Sequence, residues 1–370
     1  MCYTIESLPL QTLLPAIGRA EDQLARLDEQ VRRSPVGEGF VERGHFFDAA
    51  ASMWVGGELV HVEDLVLHDE RMDVRAPTHE LTIAHRILRA RRRIAGAKPG
   101  WAVSDAGIGA LTGYEEQEHE AAEGEGTAFV DTAADLHLLE GDDPLAQELA
   151  NVDALLEQSQ RLIDRVSDRK AGGRSALVVG DLVVRDTDWD EVDRLTQWKR
   201  VLADVADLPP TLAAALIWEA WVSLEPMQRQ HWLGSQFVSA YLRARGKVAS
   251  HLFGFNVGLK AVPRERRRST SRLTRILAFL DAMSASAESG MKEIARLAQA
   301  REQMSRRLNG RRSSSSLPTT IELVLSRPIV SALMIAKAAR VTQRGALNLI
   351  GELGVRELTG RGRYRAWGIL

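Results

Sequence analysis

Apolar residues recur every three to four positions along most of this chain, the spacing that lines one face of a helix. In ESLPLQTLLPAIGRAEDQLARLDEQVRR the stripe is Leu13, Ile17, Leu24 and Leu27. A loop, SPVGEG, separates this stretch from a helix over about Val41–Trp54, which Gly56-Gly57 breaks. VHVEDLVLHDE reads as a short amphipathic stretch, and TIAHRILRARRRIA as a basic helix that Pro77-Thr78 caps. From about 97 to 143 the chain turns Gly- and acid-rich, which predicts a long loop or insertion. Helical spacing returns in PLAQELANVDALLEQSQRLIDRVSD. SALVVGDLVVRDTDW interrupts it with two Val-rich runs around Gly180-Asp181, a lone β-hairpin near 175–189. Helices follow at about 190–204 and 210–224, then a helical set over 231–309. RRSSSS, residues 311–316, reads as a flexible basic linker. The predicted fold is mainly α: a helical region 1–95, a loop 96–145, a helical core 146–310, the linker, and a C-terminal module 317–370.

That last module has the sharpest pattern. Thr319–Leu325 forms a first helix, with Pro318 near its start and Arg327-Pro328 ending it. Ser331 caps a second helix, Ala332–Ala339, in which the small Ala336 lets the next helix cross closely. Val341 is the apolar turn residue, Thr342 caps a third helix, Gln343–Leu353, and Gly354 ends it. Ala346, Leu347, Ile350 and Leu353 are expected to be buried, leaving Gln343, Arg344, Gly345 and Asn348 outside. In a helix-turn-helix those outer positions reach base edges, Arg pairing with guanine and Gln or Asn with adenine. LTGRGRYRAWGIL then forms a small hairpin, or wing, turning at Thr359-Gly360-Arg361-Gly362. Arg361, Arg363 and Arg365 would meet phosphates or a minor groove, while Tyr364 and Trp367 pack. The competing reading is a helical hairpin with a solvated basic surface, and the caps and the Arg-rich hairpin weigh against it. One position departs from the usual pattern: Arg340 stands where the turn normally has glycine.

Charge sharpens this reading. The net charge of −2 hides a split. Residues 115–143 hold eleven acids and no Lys or Arg, whereas 311–370 hold ten Lys/Arg against three Glu. A basic tail is the electrostatic footprint of a nucleic-acid binder. With 370 residues, 45% hydrophobic, the chain can bury a large core over two or three domains. One cysteine, Cys2, excludes an intrachain disulfide and a Cys-based zinc cluster and fits a reducing cytoplasm. No signal peptide and no membrane-spanning run are predicted.

The body resembles the Fic-domain family in its order of elements, over roughly 40–370. Ala51–Val66 looks like that family's inhibitory-helix region, and SALVVGDLVV lies where it has a flap that docks target peptides. Leu208–Gly246 looks like its central helix, active loop and following helix, and FLDAMSASAESGMKEIARLAQ like its penultimate long helix. The resemblance implies a helical scaffold and, in active members, transfer of AMP to protein hydroxyls; several members carry a C-terminal winged helix. The catalytic signature, His-Pro-Phe-x-Asp/Glu-Gly-Asn-Gly-Arg, is missing: the matching stretch starts Glu225-Pro226-Met227 and runs to His231-Trp232. Without Gly-Asn-Gly there is no backbone nest for phosphates. The inhibitory motif would fall at Ser52–Gly57, with Gly56 in place of its glutamate. The layout is also similar to an uncharacterised helix-turn-helix family of alphaproteobacterial plasmids and chromosomes.

Other chemistry is weaker. His61, Asp64 and His68 share a helical face that could hold a metal, but a solvated polar face explains them more simply. His79-Glu80 lacks the second histidine of a zincin motif, and Gly254–Lys260 lacks P-loop spacing. Asp186, Asp188 and Asp190 fit a turn leading into a helix cap. Arg264, Arg266, Arg267 and Arg268 fit either a DNA contact or a solvated loop. Glu225 and His231 remain as an acid/base pair for a divergent nucleotidyl transferase. The sequence therefore predicts a catalytically silent body joined to a reader of double-stranded DNA, with no cofactor or metal. Its candidate contacts are Thr342, Gln343, Arg344, Asn348, Arg361, Arg363 and Arg365. A homodimer is expected, and the body is left to bind an effector or a protein partner, as an antitoxin-like scaffold would.

Overall fold

The computed structural model describes residues 8–72, 76–113, 189–308, 316–359 and 365–369. The chain divides into two compact units, 1–116 with 189–370, and 117–188. The second unit lies outside the described residues. So, therefore, do most of the expected acidic loop, the expected helix over 144–168 and, apart from Trp189, the expected hairpin near 175–189.

Among its described residues the first unit is helical except for one small sheet. Helix α1 (Leu10–Arg33) buries Leu13, Ala16, Ile17, Ala20, Leu24, Leu27 and Val31, the expected stripe filled in by two alanines and extended to Val31. Helix α2 (Gly37–Gly56) starts four residues before the sequence predicts and ends where Gly57 adopts a φ of +103°. Its buried residues surround the helix, so no single apolar stripe marks its start. Helices α3 (Val62–Asp69) and α4 (His79–Gly96) follow, with the Thr78 side chain accepting from the Leu81 amide at 3.2 Å.

The loop expected from residue 97 is corrected by a 3₁₀ turn (Trp101–Val103) and helix α5 (Asp105–Thr112), which Ser104 caps. Gly107 is the reason the two can pack: a Cβ there would lie 1.8 Å from the Trp101 carbonyl oxygen. Glycine density that reads as loop is here close packing, and Ala102 and Ile108 are buried.

Helices α6 (Glu191–Asp204) and α7 (Pro210–Leu224) fall within a residue of expectation. The set expected over 231–309 resolves into α8 (Leu233–Ala244), α9 (Phe255–Ala261), the single turn α10 (Arg264–Arg267) and α11 (Arg272–Arg306). At 35 residues α11 is roughly 50 Å long and forms the spine on which α1, α7 and α9 pack. The α9–α11 crossing is close because residue 258 is glycine; a Cβ there would meet the Ala282 carbonyl oxygen at 1.8 Å. Trp198, Trp221 and Phe237 form an aromatic cluster where α6, α7 and α8 meet.

A fully buried ion pair ties four helices together. The Arg91 guanidinium on α4 donates to Asp48 on α2 at 2.5 Å, to Gln236 on α8 at 2.9 Å, and to the Leu252 and Phe253 carbonyls. Asp48 accepts in turn from the Asn256 backbone and side-chain amides. Removing two charges from water is costly unless each is hydrogen-bonded on several sides, and this network supplies those bonds.

The C-terminal module comprises α12 (Leu317–Ser326), β1 (Val330–Ser331), α13 (Ala332–Ala339), α14 (Gln343–Leu353), β2 (Arg356–Glu357) and β3 (Ala366–Gly368). The strands form an antiparallel sheet in the order β1-β3-β2, with Val330 opposite Trp367 and Arg356 opposite Gly368. The module packs directly on the body. Leu325 on α12 lies over Gly39 on α2, where a Cβ would meet the Leu325 carbonyl oxygen at 2.9 Å. Buried Arg43, one turn further along α2, donates to Glu293 on α11 (2.9 Å), to the Arg327 carbonyl (2.5 Å) and to the Ile369 carbonyl (3.3 Å). Of the expected linker, only Ser316 is among the described residues, and it precedes α12.

Candidate nucleic-acid interface

Helices α13 and α14 are built by local chemistry that fits a tight turn. Ser331 caps α13 by accepting from the Met334 amide, and Thr342 caps α14 by accepting from the Gly345 amide at 3.1 Å. Between them Arg340 takes the left-handed conformation, φ +53° and ψ +45°, and the Val341 amide bonds back to the Ala336 carbonyl at 3.0 Å. A non-glycine residue is strained there, and the buried contacts on both sides of the turn hold it in place. Gly354 ends α14 at φ +60°.

One face of α14 buries Ala346, Ile350 and Leu353. The other exposes Gln343, Arg344, Leu347 and Asn348, with Thr342 beside them at the N-terminus. The expected burial of Leu347 is corrected: it is 41% exposed, and Leu349 is the partly buried neighbour. The buried stripe runs 346–350–353, and Leu347 is turned about 100° from Ala346, onto the polar face. Its periodicity alone could not separate it from the core stripe.

Charge around this face is positive. Lys337, Arg340, Arg344 and Arg356 are exposed and have no carboxylate partner among the described residues. Glu322 is turned to Arg301 on α11, at 2.7 Å. Arg365 behaves differently. It makes a two-pronged bond to Glu357, Nε at 3.0 Å and Nη2 at 2.6 Å, and its guanidinium lies over Trp367, 5.2 Å from the ring centroid. That bond holds the Glu357 carboxyl below its usual range and the Arg365 guanidinium above its own. Trp367 is buried, as the sequence predicts, whereas Tyr364, Arg361 and Arg363 lie outside the described residues.

Comparison with known proteins agrees with this geometry. Residues 317–370 match a family described as an HTH DNA binding domain, and residues 183–309 match one described as a protein of unknown function (DUF1612). The chain is 43% identical over 380 residues to the uncharacterized protein y4cF of Sinorhizobium fredii (strain NBRC 101917 / NGR234), covering all of both proteins. This chain belongs to the y4cF family. The chain therefore joins a body that matches a family of unknown function to a helix-turn-helix DNA-binding domain.

In this y4cF-family body the DUF1612 match covers α6 through α11, including the stretch from Glu225 to His231. The geometry there does not favour acid/base chemistry. Glu225 is exposed and ends α7 in the left-handed conformation, φ +45°; its backbone carbonyl accepts from Trp189. His231 is also exposed, and its carbonyl accepts from Trp221. The polar groups of both that the fold uses are on the backbone, and neither carboxyl nor imidazole sits in the buried setting that the acid/base reading invokes. Asp190 caps α6, as expected, by accepting from the Asp193 amide at 2.8 Å. Among the described residues there is no cluster of three or more His, Cys, Asp or Glu that could hold a metal. His61 precedes α3, and the His68 ring packs edge-on against His85. Of the basic run, Arg267 is buried, donates to the Val262 carbonyl and lies over Trp54, and Arg266 pairs with Asp281, which leaves Arg264 and Arg268 exposed. No described helix is long and apolar enough to cross a membrane.

Proposed function

We propose that this protein is a sequence-specific DNA-binding regulator of transcription, working in the cytoplasm. The observation that carries the reading is the outer face of α14, where Gln343, Arg344, Leu347 and Asn348 stand exposed at the N-terminal half of the second helix of a helix-turn-helix. That half enters the major groove in this motif. Gln343, Arg344 and Asn348 read base edges; Thr342, Arg361 and Arg363 hold phosphates or the minor groove, with residues 358–370 as the wing. Arg365 joins them only by releasing Glu357, so it contributes least. Two-fold DNA sites call for a homodimer. The body resembles the Fic scaffold in the order of its elements, lacks that family's catalytic loop, and serves as the domain that receives an effector or a protein partner.

The test is selection of bound genomic fragments, followed by titration of the selected site. Arg344→Ala should cost about 1–3 kcal/mol and relax preference at one base pair. Arg361→Ala should weaken all sequences alike and reduce the salt slope by about one ion. Unchanged affinity in the Arg344→Ala/Arg361→Ala double variant, with the fold intact, removes the DNA-reading proposal.

A further inference from the structure

A cavity of about 350 Å³ opens in the body, walled by α1, α2, α3, α9 and α11. Volumes of about 300–1,000 Å³ are typical of small-molecule sites. Its inner end is apolar: Leu27, Phe40, Ala50, Ala51 and Leu252 line it and are buried. Its mouth is marked by the lining residues that also meet solvent. Trp54 is 39% exposed and Leu59 is 69% exposed, and Lys260 is exposed beside them.

Charge at this mouth is one-sided. Three charged side chains line the cavity, and two are committed to each other: Glu293 accepts from Arg296, and from Arg43 as well. Lys260 is the third. It has no carboxylate partner among the described residues, and its Nζ lies 5.7 Å from the centre of the Trp54 ring. Because that ring lines the mouth, the ammonium stands at the mouth too. Arg267 lies over the same ring, 5.6 Å from its centre. Arg264 and Arg268, at the two ends of this turn, are exposed and have no ion-pair partner among the described residues. Burial, and then the charges of Arg268 and Arg264, hold the Arg267 guanidinium below its ordinary range, and Glu265 opposes them less than either. Positive groups crowd one another here, and an anion placed among them relieves the crowding.

We infer that the cavity takes a small apolar monocarboxylate, its hydrocarbon end among the inner residues and its carboxylate at Lys260 beside Trp54. The apolar wall rewards removal of hydrocarbon from water, and a single uncommitted cation in the lining matches a single negative charge. A cationic ligand of the same shape meets Lys260 and Arg267 as like charges. The inference names the chemistry of the effector that the proposed function leaves open. That regulatory use rests on the DNA-binding proposal; capture of the ligand does not.

Titration of the full chain at pH 7, without DNA, with 2-naphthoate and with 2-naphthylmethylammonium tests the site, because the two share one apolar body and carry opposite charges. The carboxylate should bind saturably and roughly tenfold tighter, attraction in one case and repulsion in the other each contributing part. Lys260→Glu, at an exposed position, should abolish or reverse that preference, whereas Lys260→Arg should keep it. Val257→Trp, which fills the cavity from α9, should weaken both ligands by roughly tenfold or more; if that variant does not fold, Lys260→Glu decides. Equal affinities in the native protein, absence of saturable binding up to the solubility limit, a preference that survives Lys260→Glu, or undiminished binding by folded Val257→Trp would each overturn the site. Carboxylate binding by a chain that selects no DNA would uphold the site and remove only its regulatory use.

Discussion

Arg43→Met is the sharpest perturbation of the contact between the two halves of this protein. The methionine keeps much of the apolar stem and deletes the guanidinium. That group is 1% exposed and donates to Glu293 and to two backbone carbonyls. Removing one member of a buried ion pair costs about 3–5 kcal/mol. The lower end applies, because Glu293 is 17% exposed and keeps Arg296 as a second partner. The two carbonyls, of Arg327 and Ile369, each lose a charge-assisted bond on the module side. The module should therefore open more readily than the body unfolds. About 3 kcal/mol of lost protection corresponds to roughly 100-fold faster exchange. The assay is amide hydrogen exchange of the full chain under native conditions, comparing α12 and the sheet with α7 and α8. A uniform change across all four, or an acceleration of less than threefold in the module, would refute the idea that Arg43 holds the module in place.

Three further outcomes follow from geometry already given. Arg340→Gly should raise the melting temperature, since a left-handed non-glycine residue costs about 1–2 kcal/mol and the added unfolded-state freedom of glycine offsets roughly half of that; a fall would show that the Arg340 side chain contributes more than its strain. Gly258→Ala should cost the upper end of about 1–3 kcal/mol in a urea titration, because the new methyl group meets backbone at Ala282 rather than a movable side chain; wild-type stability would contradict the close crossing of α9 and α11. Stability should also decline as pH falls from about 6.5 toward about 4. Unfolded His251 gains a proton over that window, whereas burial keeps the folded ring neutral down to about 4. The unfolded state then binds more protons, so the loss reaches about 3 kcal/mol for His251, and His45, shifted the same way by burial, adds to it. His251→Phe should flatten the curve in denaturant titrations at successive pH values.

Local chemistry in the sequence was legible to the residue at several points. Ser331, Thr342 and Gly354 bound α13 and α14 at the predicted positions, because caps act through near neighbours. Arg340 likewise carries the positive φ that its place in the turn implies. What escaped prediction depends on contacts distant in sequence. Asp48 and Arg91 look like surface charges, yet they meet at the centre of the body, and Arg43 reaches a carbonyl 326 positions away. Gly107 signals a loop until Trp101 is seen against it. Leu347 shows a finer limit, since a leucine one step off a helical stripe has the composition of core and the position of surface. The cavity that His251 lines has no local signature at all, because its lining comes from five helices and two loops separated along the chain.

The approach of Leu325 to Gly39 has an engineering consequence. Helix-turn-helix domains are often treated as cassettes, exchangeable between regulators to redirect them to new operators. Here a donor cassette would have to bring a backbone that fits over a bare Cα at 39 and offers carbonyl groups to Arg43 at two points. A chimera of this body with an unrelated domain would lack that seat, whereas substitutions on the outer face of α14 leave the seat untouched.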